Sequence, residues 1–364
     1  MRKILHTLVL LCTVIHGEAQ SDPAASLHAV FNKEFKPGEP GGAVLVVRNG
    51  EVLISKGYGV ADIRTGEAIT PKTLFNIGSI TKTFVAYGIL ELVDEKKISL
   101  DDPIGKYFPG FRNKAIAQQV KIHDLLTHSS GLPDNRRVRD DSIFYLTAKD
   151  AENWAPIMQN DSLHFEPGTN FEYSNPAFNA LALIIEQVTG RKWQDHIRNL
   201  IFQPAGMKRS LITDGPFPEK GVSHAYVRDE KGWHELDYGE EPTFAAAGNG
   251  GVWSTVEELW KYEQAIRAAR FISPTWIGMS RTVYPQPGWK GTTPPFIGLS
   301  WFITRFEGVP MIGHTGSQGG FISDYVSVPD QDFFYVLLCN TPRDITALRA
   351  KVFAACGIKD RSRG

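Results

Sequence analysis

The strongest constraint in the sequence is the run Asn76-Ile77-Gly78-Ser79-Ile80-Thr81-Lys82-Thr83-Phe84, continued by an apolar stretch to Val93. A segment this apolar predicts a helix buried on most of its sides. Ser79 then stands at or just inside the helix N-terminus, and Lys82, one turn on, projects from the same face. No other serine of the chain has a lysine three residues later. A serine hydroxyl is barely ionised at neutral pH, so a nucleophilic serine needs a neighbour that takes its proton. Lysine serves once burial and the positive helix end lower its pKa. The plain alternative is a capping serine followed by a solvated lysine, and the spacing alone does not decide between them.

Composition removes several function classes. The chain has 364 residues, 42% hydrophobic and 22% charged, with a net charge of −1. These are globular values, with room for one large domain or two intertwined ones. Without a basic run or basic-aromatic stripe, no nucleic-acid partner is expected. The histidines, ten in number, are scattered and no C-x-x-C or H-E-x-x-H spacing occurs, so no metal and no cofactor are expected.

The beginning of the chain reads as a signal peptide: Arg2 and Lys3, a mostly apolar stretch at 4–15, then Gly17-Glu18-Ala19 ahead of a cleavage before Gln20. An exported protein, periplasmic or secreted, is the expectation. Lipid attachment at Cys12 is disfavoured by the bulky Leu11. The apolar run is short for a bilayer span and no later run is longer, so no transmembrane segment is expected. Cys339, in a strand-like run, and Cys356, near the end of the chain, are expected as unpaired buried thiols.

Residues 41–58 read as a β-hairpin turning at Asn49-Gly50. A short helix is expected at 122–127 and an amphipathic one at 176–189, its face formed by Phe178, Leu181, Ile184, Ile185 and Val188 and its end marked by Gly190. A capping box at Ser254-Thr255-Val256-Glu257 opens a helix to about 269. Strand signals follow at 299–306, 321–328 and 333–339, then a helix at 345–355. Residues 135–161 are polar and without period, open to a helical insertion or lid. The expected class is therefore α/β (α+β): a sheet assembled from 24–100 and 240–364, with a mainly helical region, 101–239, inserted.

Two further stretches bear on the serine. Tyr173-Ser174-Asn175 is the only Y-x-N among the 11 tyrosines and stands just ahead of the 176–189 helix. His314-Thr315-Gly316 lies between strand signals inside a glycine-rich segment. Taken together, S-x-x-K, Y-x-N and H-T-G resemble the penicillin-recognising serine hydrolases: class C β-lactamases, D-Ala-D-Ala carboxypeptidases and related esterases and amidases. Flanking stretches agree, among them Leu125 to Pro133, Phe165-Glu166-Pro167-Gly168, Pro204-Ala205-Gly206-Met207 and Gly248-Asn249-Gly250-Gly251.

The resemblance implies a β-lactamase/transpeptidase-like fold, with an antiparallel sheet flanked by helices, and a role for each matching residue. Ser79 attacks a carbonyl, Lys82 takes its proton, and Tyr173 relays that proton to the leaving group. Asn175 holds a substrate amide. Backbone N–H groups of Ser79 and Ser317 form the oxyanion hole, Thr315 and His314 face a polar end of the substrate, and Gly316 lets the strand edge come close. A mostly neutral histidine, where many β-lactamases have lysine, attracts a carboxylate less. The resemblance thus leans to carboxypeptidase, esterase and amidase chemistry on a D-amino-acid peptide or ester, such as a cell-wall peptide, by a monomer. A class C-like β-lactamase and a non-catalytic penicillin-binding or cell-wall-peptide protein are the alternatives. His128 reads as a structural turn residue.

Overall fold

The computed structural model of the chain describes residues 22–136, 142–213, 218, 220–236, 245 and 247–360. The segment 1–19 expected as a signal peptide, with Cys12, and residues 137–141 of the polar stretch lie outside these. Among the described residues no helix is long and apolar enough to cross a membrane.

The 41–58 segment folds as the hairpin its turn chemistry demands. Gly42–Arg48 pairs with Glu51–Tyr58 through Asn49 (φ 51°) and Gly50 (φ 76°), the two positive φ values of a type I′ turn. This hairpin joins strands from the far end of the sequence in a six-stranded antiparallel sheet. Its order is Phe302–Phe306, Val309–Gln318, Phe321–Val328, Phe333–Cys339, Gly42–Arg48, Glu51–Tyr58. The expected mixed α/β architecture with an antiparallel sheet is the one observed.

Phe333–Cys339 explains the layering. All seven residues are buried, and successive side chains of a strand point to opposite faces. Phe333, Tyr335, Leu337 and Cys339 pack with Leu27, Phe31, Leu348, Val352 and Phe353 of the helices Pro23–Glu34 and Ile345–Cys356. Phe334, Val336 and Leu338 pack on the other face with Phe84, Leu181 and Tyr262. Cys339 and Cys356 are unpaired and buried, and burial raises their thiols to about 12 for Cys339 and about 11 for Cys356.

On that second face lies the helix Thr81–Asp94, buried at every position from Thr81 to Leu90. It crosses Asn175–Thr189 closely because Gly88 has no side chain: a Cβ there would stand 2.8 Å from Ile185 Cδ1. Asn175–Thr189 ends at Gly190 in the left-handed conformation, as its sequence predicts. Glu263, on the helix Val256–Arg267, is buried beneath the sheet. Arg281 Nη2 donates to it at 2.5 Å, Arg267 Nε at 2.8 Å, Tyr325 Oη at 2.5 Å and Ser327 Oγ at 2.8 Å.

Three details depart from the sequence expectations. The 299–306 strand begins only at Phe302. The segment expected merely to lie between strands, 309–318, is itself the ten-residue strand Val309–Gln318. The Val256–Arg267 helix is capped one residue later than the capping box predicts: Thr255 Oγ1 accepts from Glu258 N–H, while Ser254 belongs to a short strand. The described part of the polar stretch, with the helices Ser142–Thr147 and Asp150–Trp154, is anchored by Trp154, buried against Phe108 and Phe111.

Candidate active site

The site grows from the start of the Thr81–Asp94 helix. Phe75–Asn76 pairs with Val252–Ser254, which fixes the incoming chain. Asn76 then serves both sides: its Oδ1 accepts from Gly78 N–H at 2.8 Å, and its Nδ2 donates to the Gly250 carbonyl at 3.0 Å. A single 3₁₀ turn, Gly78–Ile80, leads into the helix and carries Ser79, half-buried, in its middle.

Lys82 follows one turn later and is 0% exposed. Its Nζ donates to Ser79 Oγ at 2.9 Å and to the Asn249 carbonyl at 2.7 Å. Burial, and next the positive charge of Arg136, hold the amine well below its ordinary pKa. The solvated-lysine alternative is therefore excluded by position. An amine so lowered gives up its third proton more readily than a solvated lysine, and the lone pair freed by that loss would face the Ser79 hydroxyl.

Tyr173 reaches the site from the entrance to the Asn175–Thr189 helix. Its ring centroid lies 5.1 Å from Lys82 Nζ, and Ser174 caps the helix by accepting from Ala177 N–H. Asn175, half-buried, is the first helical residue. The segment is clamped by His128. The His128 carbonyl accepts from Glu172 N–H at 2.9 Å, and its ring Nδ1 accepts from Ser174 N–H at 3.0 Å. The ring itself stacks on Tyr173, centroids 4.3 Å apart. Since Nδ1 accepts, the neutral ring carries its proton on Nε2. Burial, then Lys82 and His314, push the His128 pKa well down.

The third wall is the strand Val309–Gln318. Its partner on the outer side, Phe302–Phe306, pairs only as far as Gly313, so Ile77 and Gly78 lie against the edge beyond. A Cβ on Gly316 would stand 2.1 Å from the Ile77 carbonyl oxygen, and one on Gly78 would stand 2.8 Å from Ser317 N. Two glycines thus bring the Ser317 amide next to the turn of Ser79. Strand alternation exposes Thr315 and Ser317 and buries His314, which is 2% exposed. His314 Nδ1 donates to the Thr315 carbonyl at 2.6 Å. Burial, then the neighbouring Lys82, push its pKa down to about 3.

The structure thus gathers Ser79, Lys82, Tyr173, Gly316 and Ser317, with His314 behind them and Thr315 on the open face. Sequence reading missed His128 as more than a turn residue, and missed the Asn249 carbonyl, although Gly248-Asn249-Gly250-Gly251 flagged the loop that presents it. No cluster suited to a metal ion occurs among the described residues.

A family model described as Beta-lactamase matches residues 28–354. The chain belongs to the beta-lactamase family. Among relatives of this beta-lactamase-family chain, protein flp of Staphylococcus aureus is 30% identical over 328 residues, covering 88% of this chain and 64% of that protein. A second flp sequence from the species is 31% identical over 211 residues, 57% of this chain, and the match spans only 42% of its length. Penicillin-binding protein 4* of Bacillus subtilis is 27% identical over 345 residues, covering 90% of this chain and 74% of that one. Among solved structures, the octameric penicillin-binding protein homologue from Pyrococcus abyssi superposes with a TM-score of 0.77 at 26% identity, over 93% of this chain and 77% of that one. The D-amino acid amidase of Ochrobactrum anthropi SV3 shares the fold, with a TM-score of 0.76 at 23% identity over 94% of this chain and all of the other.

Proposed function

We propose that the chain is an exported serine hydrolase that cleaves an amide or ester, a D-amino-acid peptide or ester, through a covalent acyl-enzyme. The observation that carries this reading is the buried Lys82 Nζ lying 2.9 Å from Ser79 Oγ. In the reaction, Ser79 Oγ bonds to the substrate carbonyl carbon while its proton passes to the Lys82 lone pair. The carbonyl oxygen takes the negative charge, and the backbone N–H groups of Ser79 and Ser317 face it; each such donor is worth about 100- to 1000-fold in rate. Tyr173, 5.1 Å from Lys82 at its ring centroid, hands a proton to the departing amine or alcohol. Water then cleaves the acyl-serine by the reverse sequence.

Asn175 and the exposed Thr315 are the groups for the substrate's amide and polar end. His314 stays neutral and buried, so it brings no cation to attract a carboxylate. This favours peptidase, esterase or amidase chemistry over efficient β-lactam turnover.

Intact-mass spectrometry after mixing with benzylpenicillin or a nitrophenyl ester, beside Ser79→Ala, tests the reading. A serine-dependent adduct or ester turnover is expected, and both vanish in Ser79→Ala. Rapid penicillin turnover instead makes the chain a β-lactamase. Full activity in Ser79→Ala overturns the mechanism.

A further inference from the structure

Asp150 opens the short helix Asp150–Trp154 and is buried, yet its partners are uncharged donors. Oδ1 accepts from Asn179 Nδ2 at 2.7 Å and from Gly248 N–H at 2.8 Å, and Oδ2 accepts from the Trp193 indole at 2.9 Å. A buried carboxylate without a cation is costly to keep, so its place in the fold calls for a reason. Burial first, and then nearby Glu186, raise its pKa to about 7 against the pull of the three donors.

The reason lies one bond further on. Asn179 Nδ2 also donates to Asn249 Oδ1 at 3.2 Å. Gly248, the residue before Asn249, is pressed on the Asn175–Thr189 helix: a Cβ there would stand 2.7 Å from Ala182 Cβ and from the Phe178 carbonyl. Asn249 is thus gripped by its side chain and through its preceding peptide, and both grips end on Asp150 Oδ1. The Asn249 carbonyl receives Lys82 Nζ at 2.7 Å.

We propose that Asp150 is a positioning residue for Lys82. It holds the Gly248–Asn249 segment so that the Asn249 carbonyl takes one N–H of the amine and aims the remaining lone pair at Ser79 Oγ. The carboxylate touches neither substrate nor nucleophile and acts only through Asn249. The other charged or titratable groups facing Lys82 are Tyr173, Arg136, His128 and His314. Arg136 also donates to Asn153 Oδ1, on the same short helix as Asp150. The inference rests on the reading of Lys82 as the base for Ser79.

Asp150→Asn keeps the shape but leaves one acceptor oxygen for three donors. It is expected to lower kcat on a nitrophenyl ester about 10- to 100-fold with KM within about twofold, the scale of a displaced catalytic group. The Lys82 Nζ titration, followed by ¹⁵N NMR of lysine-labelled protein, is expected to move by at least about half a pH unit. Trp193→Phe removes the Oδ2 donor and leaves the Oδ1 arm intact. It is expected to lower the melting temperature while kcat and the Lys82 titration stay as in the parent.

An Asp150→Asn protein that is destabilised but has the parental kcat and Lys82 titration overturns the positioning role. So does a Trp193→Phe protein that shifts both as much as Asp150→Asn does. Ser79→Ala separates the two levels: activity surviving there removes the serine mechanism, whereas the NMR titration still reports whether Asp150 governs Lys82.

Discussion

The imidazole of His128 lies on the ring of Tyr173, centroids 4.3 Å apart and planes 26° apart, while its carbonyl and Nδ1 hold the backbone on either side of that tyrosine. One residue thus fixes the height, tilt and backbone of the proposed proton relay. His128 also has φ 54°, a left-handed conformation that asparagine tolerates better than most residues. His128→Asn should therefore fold, retain the turn and lose the stacking surface. The expected outcome is a fall in kcat of about 10- to 100-fold with little change in KM. Ester hydrolysis beside a melting curve checks it, and an unchanged kcat in a folded variant refutes the clamp.

Gly316 offers a steric test. A methyl group there meets the Ile77 carbonyl oxygen at 2.1 Å and Ser323 Oγ at 2.2 Å. The carbonyl belongs to backbone and cannot swing aside, so the strand must move off the Ser79 turn. Gly316→Ala is expected to cost about 1–3 kcal/mol in urea unfolding, the usual scale of overpacking. Its ester kcat/KM should fall at least about 100-fold, because the Ser317 amide retreats with the strand. A stable, fully active Gly316→Ala would show that the edge is not part of the site.

Two of the shifted buried groups around the site, His314 and Asp150, make opposite claims on pH. His314 is lowered from 6.5 to about 3, so the folded state refuses a proton that the unfolded chain accepts. Its contribution to stability is present above pH 6.5 and is lost as pH falls towards 3. Asp150 is raised from 3.8 to about 7, so its contribution is complete below 3.8 and is lost as pH rises through 7. Urea midpoints across this range should lose part of their acid-side slope in His314→Gln and part of their alkaline-side slope in Asp150→Asn. Parallel curves for all three proteins would contradict both assignments.

Glu263 governs the fold rather than the chemistry. Burial pushes its carboxyl up, but Arg281 and Arg267 outweigh that and bring it to about 2. Glu263→Gln leaves the Arg281 guanidinium uncompensated under the sheet, while Arg267 keeps Asp332, a loss of about 3–5 kcal/mol. Denaturant unfolding at pH 7 measures it. The pairing is present above the ordinary glutamate pKa of 4.5 and is lost as pH falls through 2, so the variant and parent should converge in strong acid.

The parts of the site legible in the sequence are those whose geometry is local. Ser79 and Lys82 are one helical turn apart, and Tyr173 stands at a helix entrance marked by Pro176 and closed by Gly190. The hairpin at Asn49-Gly50 was equally plain, because only certain residues accept two positive φ values in succession. The strand Val309–Gln318 was hidden by Pro310, Gly313 and Gly316, which depress strand propensity; Gly316 is there because the Ile77 carbonyl occupies the space of its side chain. Likewise, Thr255 rather than Ser254 caps its helix because Ser254 is engaged in pairing with Phe75. His128, Asp150, Asn179 and Asn249 carry no mutual spacing at all. Their relation to Lys82 exists only after four separate segments have packed.

The central sheet seats Gly42–Arg48 directly beside Phe333–Cys339, so the first strand laid down by the ribosome waits for the last. Ser79 and Lys82 emerge early in synthesis, but the strand edge beside them arrives some hundreds of residues later. A growing or truncated chain therefore holds a serine and a lysine with no wall to work against. The proposed acylating centre is assembled only when the polypeptide is complete, and a chain threaded through a membrane in extended form would carry it across inert.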